Sequence, residues 1–170
     1  MSTNASPPIW DFVLAYYGQK GFSEAAIALQ DSSGVDVNMI LFLMWLAAQR
    51  KALPAADIKA LGETSHNWQK SVVVPIRAVR RLLKENAPLV EQEAALAYRK
   101  KVQALEIEGE QLQLNAMATA SQTLKPVTGS SSEQAARDNL AAFSAATGVT
   151  IPSASIDTFL RALAGVTNAA

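Results

Sequence analysis

The run Met39-Ile40-Leu41-Phe42-Leu43-Met44-Trp45-Leu46-Ala47-Ala48 holds ten apolar residues without a break, and its reading decides the fold. Crossing a bilayer takes about 20 such residues, so the run predicts a buried helix and no transmembrane segment. Asp36 stands just ahead of it and caps a helix from Val37 to about Lys51. Its apolar side chains point all the way round. A helix of that kind has to be covered on every side, which places it at the centre of the molecule.

Outward from this helix, alanine occurs 31 times in 170 residues against 8 glycines and 7 prolines. Alternation of apolar and polar residues at period two is scarce, so the class is all-α. The expected architecture is an irregular helical bundle of five to six helices with a C-terminal helical hairpin. Ser6 and Pro7 open a first helix that Gly18 closes in a left-handed conformation. A second runs from about Phe22 to Ser32, ahead of Gly34, and a short fourth from Pro54 to near Gly62. Thr64 or Ser65 starts the next, which carries Trp68, Val72, Ile76, Val79 and Leu83 on one side as far as about Glu85. Pro75 lacks an amide donor and follows three valines, which predicts a kink or a break.

Asn86, with Pro88, opens a long helix from Ala87 to about Ala118. Along it Tyr98, Val102, Leu105, Gly109, Leu112 and Ala116 form a heptad-like seam that suits a neighbour within the chain or a second copy in a homo-oligomer. Gly109 weakens that helix or admits a close neighbour. Ser121 to Ser132 mixes serine, threonine, glycine and Pro126 and reads as a linker. Ser131 with Gln134 is a capping-box signature for a helix closed by Gly148, and Pro152 or Ser153 starts a last one bearing Ile156, Phe159, Leu160 and Leu163. Eight of the eleven aromatic residues lie at or before Trp68. The expected division is therefore a core domain over 7–120, a linker over 121–132, and a hairpin over 133–165 that docks weakly, pairs elsewhere or varies freely.

Composition excludes much chemistry. The chain has no cysteine and one histidine, His66, which removes disulfides, thiolate nucleophiles, cysteine zinc sites and multi-histidine metal centres. Residues 1–8 carry no lysine or arginine and lead into no long apolar stretch, so no secretory signal is expected and the cytoplasm is the default location. No cofactor, metal ligand set or catalytic residue is identified, and an enzyme is the less favoured reading. His66 lies beside Ser65, but a lone histidine and serine do not make a triad. Glu106, Glu108 and Glu110 make an acidic patch that suits a solvated face or a partner for basic residues better than a metal site.

The net charge is zero, yet residues 50–101 hold eleven basic against five acidic side chains. At 100° per residue Lys70, Arg77, Arg80, Arg81 and Lys84 share one face, opposite the apolar stripe of their helix. Such a basic strip is the candidate binding surface, suited to an acidic protein partner or a nucleic-acid backbone. The bland alternative is a set of arginines paired with carboxylates of neighbouring helices. A second candidate is a pocket lined by Trp10, Tyr16, Tyr17, Trp45 and Trp68 for a small apolar ligand or lipid, as in a ligand-binding bundle or a degenerate enzyme. An internal network of these tyrosines and tryptophans with Asp11 or Asp31 is the plainer reading. Pro54 to Leu61, Gly62-Glu63 and Thr64 to Val74 also follow the layout of a helix-turn-helix, a lesser candidate for DNA binding.

Ile9-Trp10-Asp11-Phe12 with Tyr16-Tyr17, Ala28 to Asp31, Gly34 to Asn38, Leu41 to Leu46 with Trp45, and then Trp68, Val72, Pro75, Ile76 and Arg77 to Arg81 form a recurring set of blocks. Over roughly residues 8–118 the chain resembles an uncharacterised family of short all-helical proteobacterial proteins grouped as a domain of unknown function. The resemblance implies a helical fold in a bacterial cytoplasm and brings no activity, cofactor or catalytic residue. The expected function is a non-enzymatic interaction module that uses the basic strip.

Overall fold

The computed structural model describes residues 8–85 and 90–168, without the Glu85 side chain. The expected openings at Ser6 and Pro7, the start of the core domain at residue 7, and the Asn86 and Pro88 cap of the long helix lie outside the described residues.

The helices are α1 Ile9–Tyr17, α2 Phe22–Ser33, α3 Val37–Ala48, α4 Ala55–Trp68, α5 Val74–Glu85, α6 Gln92–Ala120, α7 Ser132–Thr147 and α8 Ser153–Thr167. A π-helical turn, Gln69–Val73, joins α4 to α5 without interruption, so the described residues form seven helical rods. The fold is all-α. Seven replace the expected five or six because the two C-terminal helices belong to the bundle itself. Two short strands, β1 Lys51–Ala52 and β2 Val127–Thr128, pair antiparallel, with Lys51 opposite Thr128 and Ala52 opposite Val127.

The central helix is α3. Ten of its twelve residues are buried, and the Asp36 carboxylate accepts the Asn38 amide at 3.0 Å to cap it. Around it one continuous cluster takes Phe12 and Tyr16 from α1, Phe22 and Leu29 from α2, Leu114 and Met117 from α6, Leu140 and Phe143 from α7, and Phe159 and Leu163 from α8. Each large apolar side chain so buried contributes about 1.5–3 kcal/mol.

The division into core, linker and loose hairpin is corrected by this packing. Phe159 is sealed in the core beside Phe22, with ring centroids 5.5 Å apart, and its carbonyl accepts the Tyr16 hydroxyl at 2.6 Å. From α7, the Asn139 carboxamide accepts the Leu53 amide at 2.9 Å and donates to the Leu43 and Lys51 carbonyls at 3.1 and 3.0 Å. Small residues let α7 lie close, with Ala135 and Ala136 wholly buried. The expected linker holds β2, so it is tied back to the chain after α3.

Local signals fare unevenly. Gly34 (φ 64°) and Gly148 (φ 73°) close α2 and α7 in the left-handed region. Gly18 does not: it is right-handed at φ −70°, and the left-handed turn falls on Gly21 at φ 83°. Ser131 caps α7 by accepting the Gln134 amide at 3.0 Å, while the Gln134 side chain bonds Asp138 and leaves the capping box half made.

The expected turn at Gly62 is absent, since the chain stays helical from Ala55 through Glu85. A helix-turn-helix needs that turn, so the layout is not formed. The expected break at Pro75 is absent. The π turn ahead of it lets the Val74 amide reach back to the Gln69 carbonyl and widens the helix where a proline ring would crowd the preceding turn.

If Asn139 is the clasp between α7 and the chain after α3, Asn139→Ala strands the Leu53 amide and the Lys51 carbonyl and takes a second donor from the Leu43 carbonyl. We expect a loss of about 3 kcal/mol in chemical denaturation, since each orphaned group costs roughly 1–3 kcal/mol. A loss under about 0.5 kcal/mol, the range of an ordinary surface change, would show that α7 docks without it.

Candidate functional site

α5 packs against α6 and contributes nothing to the central cluster. From α6 the cluster takes only residues near its C-terminal end, Leu114 and Met117, with Ala118 packed against it. The buried Val73, Ala95 and Val102 lie outside that cluster. The π turn, α5 and the N-terminal half of α6 thus form an antiparallel two-helix arm, and all five residues of the expected basic strip sit on it.

The strip is not one free face. Arg77 donates from Nε to Glu106 Oε1 and from Nη2 to Glu110 Oε1, both at 2.7 Å, and from Nη1 to Gln30 Oε1 at 3.4 Å. Arg80 grips the Glu106 carboxylate from Nε and again from Nη2. Their side chains are 16% and 22% exposed, turned toward α6. Lys70, Arg81 and Lys84 are exposed. The π turn accounts for Lys70 alone: with more residues per turn than an α-helix, it sets Lys70 out of phase with Arg77, which faces α6 together with Arg80.

These contacts set the carboxylates apart. Burial pushes Glu106 up, but its hydrogen bonds and charge contacts with Arg80 and Arg77 outweigh that and hold it below the ordinary value. Glu110 is raised, chiefly by burial, with Arg77 opposing and Glu106 reinforcing. The acidic patch on α6 is thus divided as well: two glutamates serve the arginines, and Glu108 faces solvent. Among the described residues no group of three metal-ligating side chains converges.

The aromatic candidates do not converge on one pocket. Tyr16 is fully buried between Phe12 and Phe22, and its hydroxyl reaches the Phe159 carbonyl rather than Asp11 or Asp31, both of which are exposed. Tyr17 is 43% exposed and stands edge-on to Phe22. Trp10 and Trp45 are half-buried at the edge of the core, with Trp45 6.2 Å from Phe42. Trp68 alone of the five lines a described groove, and its indole Nε1 donates to the Gly109 carbonyl at 3.0 Å. An alanine methyl at Gly109 would lie 3.6 Å from Val73, an ordinary contact, so this glycine is not required for close approach.

That groove, about 410 Å³, runs between α4 and α6 and is walled by Leu61, Trp68, Leu112, Ala116 and Met117. Its polar floor is Ser65 and Gln113. The sequence does not announce this floor, because Ser65 and Gln113 stand 48 residues apart. Gln113 donates to Asp36 and to Ser65 Oγ, both at 2.6 Å, and accepts from Asn38 at 2.8 Å; Ser65 donates to Asp36 at 3.1 Å. The network ties the capped start of α3 to α4 and α6. Its polar atoms are already engaged, so of the groove's polar side chains only the exposed Thr64, whose hydroxyl donates to the Ala60 carbonyl at 3.4 Å, is left to a ligand. His66 is exposed, and Ser65 bonds Asp36 and Gln113 rather than the imidazole.

Burial raises the Asp36 carboxyl, against the lowering hydrogen bonds from Asn38, Ser65 and Gln113 and the charge of Arg77. The folded state then holds a proton at a pH where the unfolded chain has lost it. Stability conferred by Asp36 therefore grows as pH falls from 7 toward the ordinary carboxylate range. Asp36→Asn carries no such titration. We expect the melting temperature of the unsubstituted protein, minus that of the variant, to rise as pH is lowered from 7 to about 4, across the range where a buried carboxyl titrates. A constant or falling difference contradicts the assignment.

Residues 8–117 match the family described as protein of unknown function (DUF2390). No curated protein and no solved structure matches the chain. The matched span holds α1 to α5 and most of α6, and it stops before the C-terminal helices that complete the core. With well over half its length within that span, the chain belongs to the DUF2390 family.

Proposed function

We propose that this protein is a non-enzymatic interaction module whose arm, α5 with the N-terminal half of α6, receives an acidic protein partner. The observation that carries the reading is the arm's separation from the core combined with what it exposes. Arg81 and Lys84 remain outward on α5, and Lys100 on α6. Beside them stand Leu82, 61% exposed, and Leu96, 41% exposed. Large aliphatics between cations suit an acidic amphipathic helix, which supplies both apolar contact and charge.

A nucleic-acid backbone is the poorer fit. Phosphate binding draws on many cations at once, and here Arg77 and Arg80 are held by Glu106 and Glu110. The surface is thus smaller than the five-residue strip and less positive than its composition suggests.

The test is affinity capture from the host, with nuclease present, comparing the unsubstituted chain with Arg81→Glu/Lys84→Glu. Both positions are exposed, so the variant is expected to keep its helicity and melting temperature. An acidic protein retained at low salt, lost as salt rises and several-fold depleted with the variant is the expected result. Capture that nuclease abolishes, that ignores the double substitution, or that yields nothing at low salt overturns the reading.

A further inference from the structure

The side of the arm away from Arg77 and Glu110 is apolar on both helices. On α6, Tyr98, Leu105 and Leu112 recur every seven residues and are 58%, 55% and 53% exposed. At 100° per residue they drift only about 40° over two heptads, so they form one row. Across from them, on the π turn and α5, Val79 is 44% exposed and Val72, Ile76 and Leu83 are half-buried. The seam therefore has no cover within the described chain, although Val102 and Gly109 beside it are buried against α5 and the π turn.

We propose that a second copy of this chain covers the row, with the two α6 helices antiparallel about a two-fold axis close to Leu105. The charges along the edge select this occupant. Lys101 and Glu108 lie seven residues apart, on the same edge of α6, roughly 40–60° round from the row on the side away from α5. Both are exposed, and among the described residues neither has an ion-pair partner. They stand four residues before and three after Leu105. In an antiparallel pair like heptad positions face each other, so Lys101 of each copy meets Glu108 of the other, giving two ion pairs from one symmetric contact.

The same register sets Leu105 against its own copy and Tyr98 against Leu112. Leu112 is a wall of the groove that Trp68 and Ala116 also line. The second copy's Tyr98 then enters that groove, where a ring fills apolar space and its hydroxyl stays at the open edge. The groove needs no free polar group for such an occupant. This surface lies on the other side of the arm from Arg81 and Lys84, so the proposal stands apart from the acidic-partner reading.

Sedimentation equilibrium across a broad concentration range tests it. The full chain is expected to dimerise, and Leu105→Glu, at an exposed site, to sediment as a folded monomer with unchanged circular dichroism. Lys101→Glu sets two glutamates against each other in each ion pair and is expected to raise the dissociation constant several-fold; Lys101→Glu with Glu108→Lys is expected to restore it. A chain monomeric throughout overturns the proposal. So does a dimer indifferent to Leu105→Glu, a charge swap that does not rescue, or a monomer that carries an apolar small molecule in the groove by native mass spectrometry.

Discussion

The constraint on which the structure depends is that α3 has no side fit for water. With ten of twelve residues buried, it demands neighbours in every direction, and no two helices suffice. The N-terminal helices cover part of it, the C-terminal end of α6 another part, and α7 and α8 the remainder. The helices beyond residue 130 are therefore a structural necessity rather than an appendage. Asn139 makes the dependence specific, since it satisfies backbone groups on both sides of the turn that follows α3. Buried backbone groups without partners are costly, which is why one side chain carries three bonds there.

What the core does not use becomes the arm. Continuity from α4 through the π turn commits α5 to run beyond the cluster, and α6 returns alongside it. Two helices alone cannot bury all their apolar residues. The arm closes its inner seam with Val73, Ala95 and Val102 and with the Arg77, Arg80, Glu106 and Glu110 contacts, and leaves Tyr98, Leu105 and Leu112 outside. Partly buried arginines that share one carboxylate are an anchor rather than an invitation to a partner. Binding surfaces on this molecule lie to either side of that anchor.

Much of the fold was legible where the signal is local. The ten-residue apolar run marked the centre, Asp36 and Ser131 marked two caps, and Gly34 and Gly148 marked two ends. Features joining distant residues were not. Nothing near Asn139 announces a clasp to Leu43 and Leu53, and a hairpin with two aromatic residues looks too poor to dock. It docks because Ala135, Ala136 and Ala162 allow close approach, so that Phe143 and Phe159 reach a core already rich in rings. The candidate site shows the same limit. That Glu106 and Glu110 are natural partners for basic residues follows from their type and spacing. Which cations they take does not, because one widened turn at Gln69–Val73 alters the phase between Lys70 and Arg77.

The account rests on one core built around α3, with the α5–α6 arm outside it. Native-state hydrogen exchange at dilutions where self-association is absent tests this most directly. Amides of α3, α7 and α8 are expected to exchange together, only through global unfolding, while those of α5 and the first half of α6 exchange through a separate opening of lower free energy. Exchange of α7 and α8 ahead of α3, or of the arm in step with α3, would contradict it.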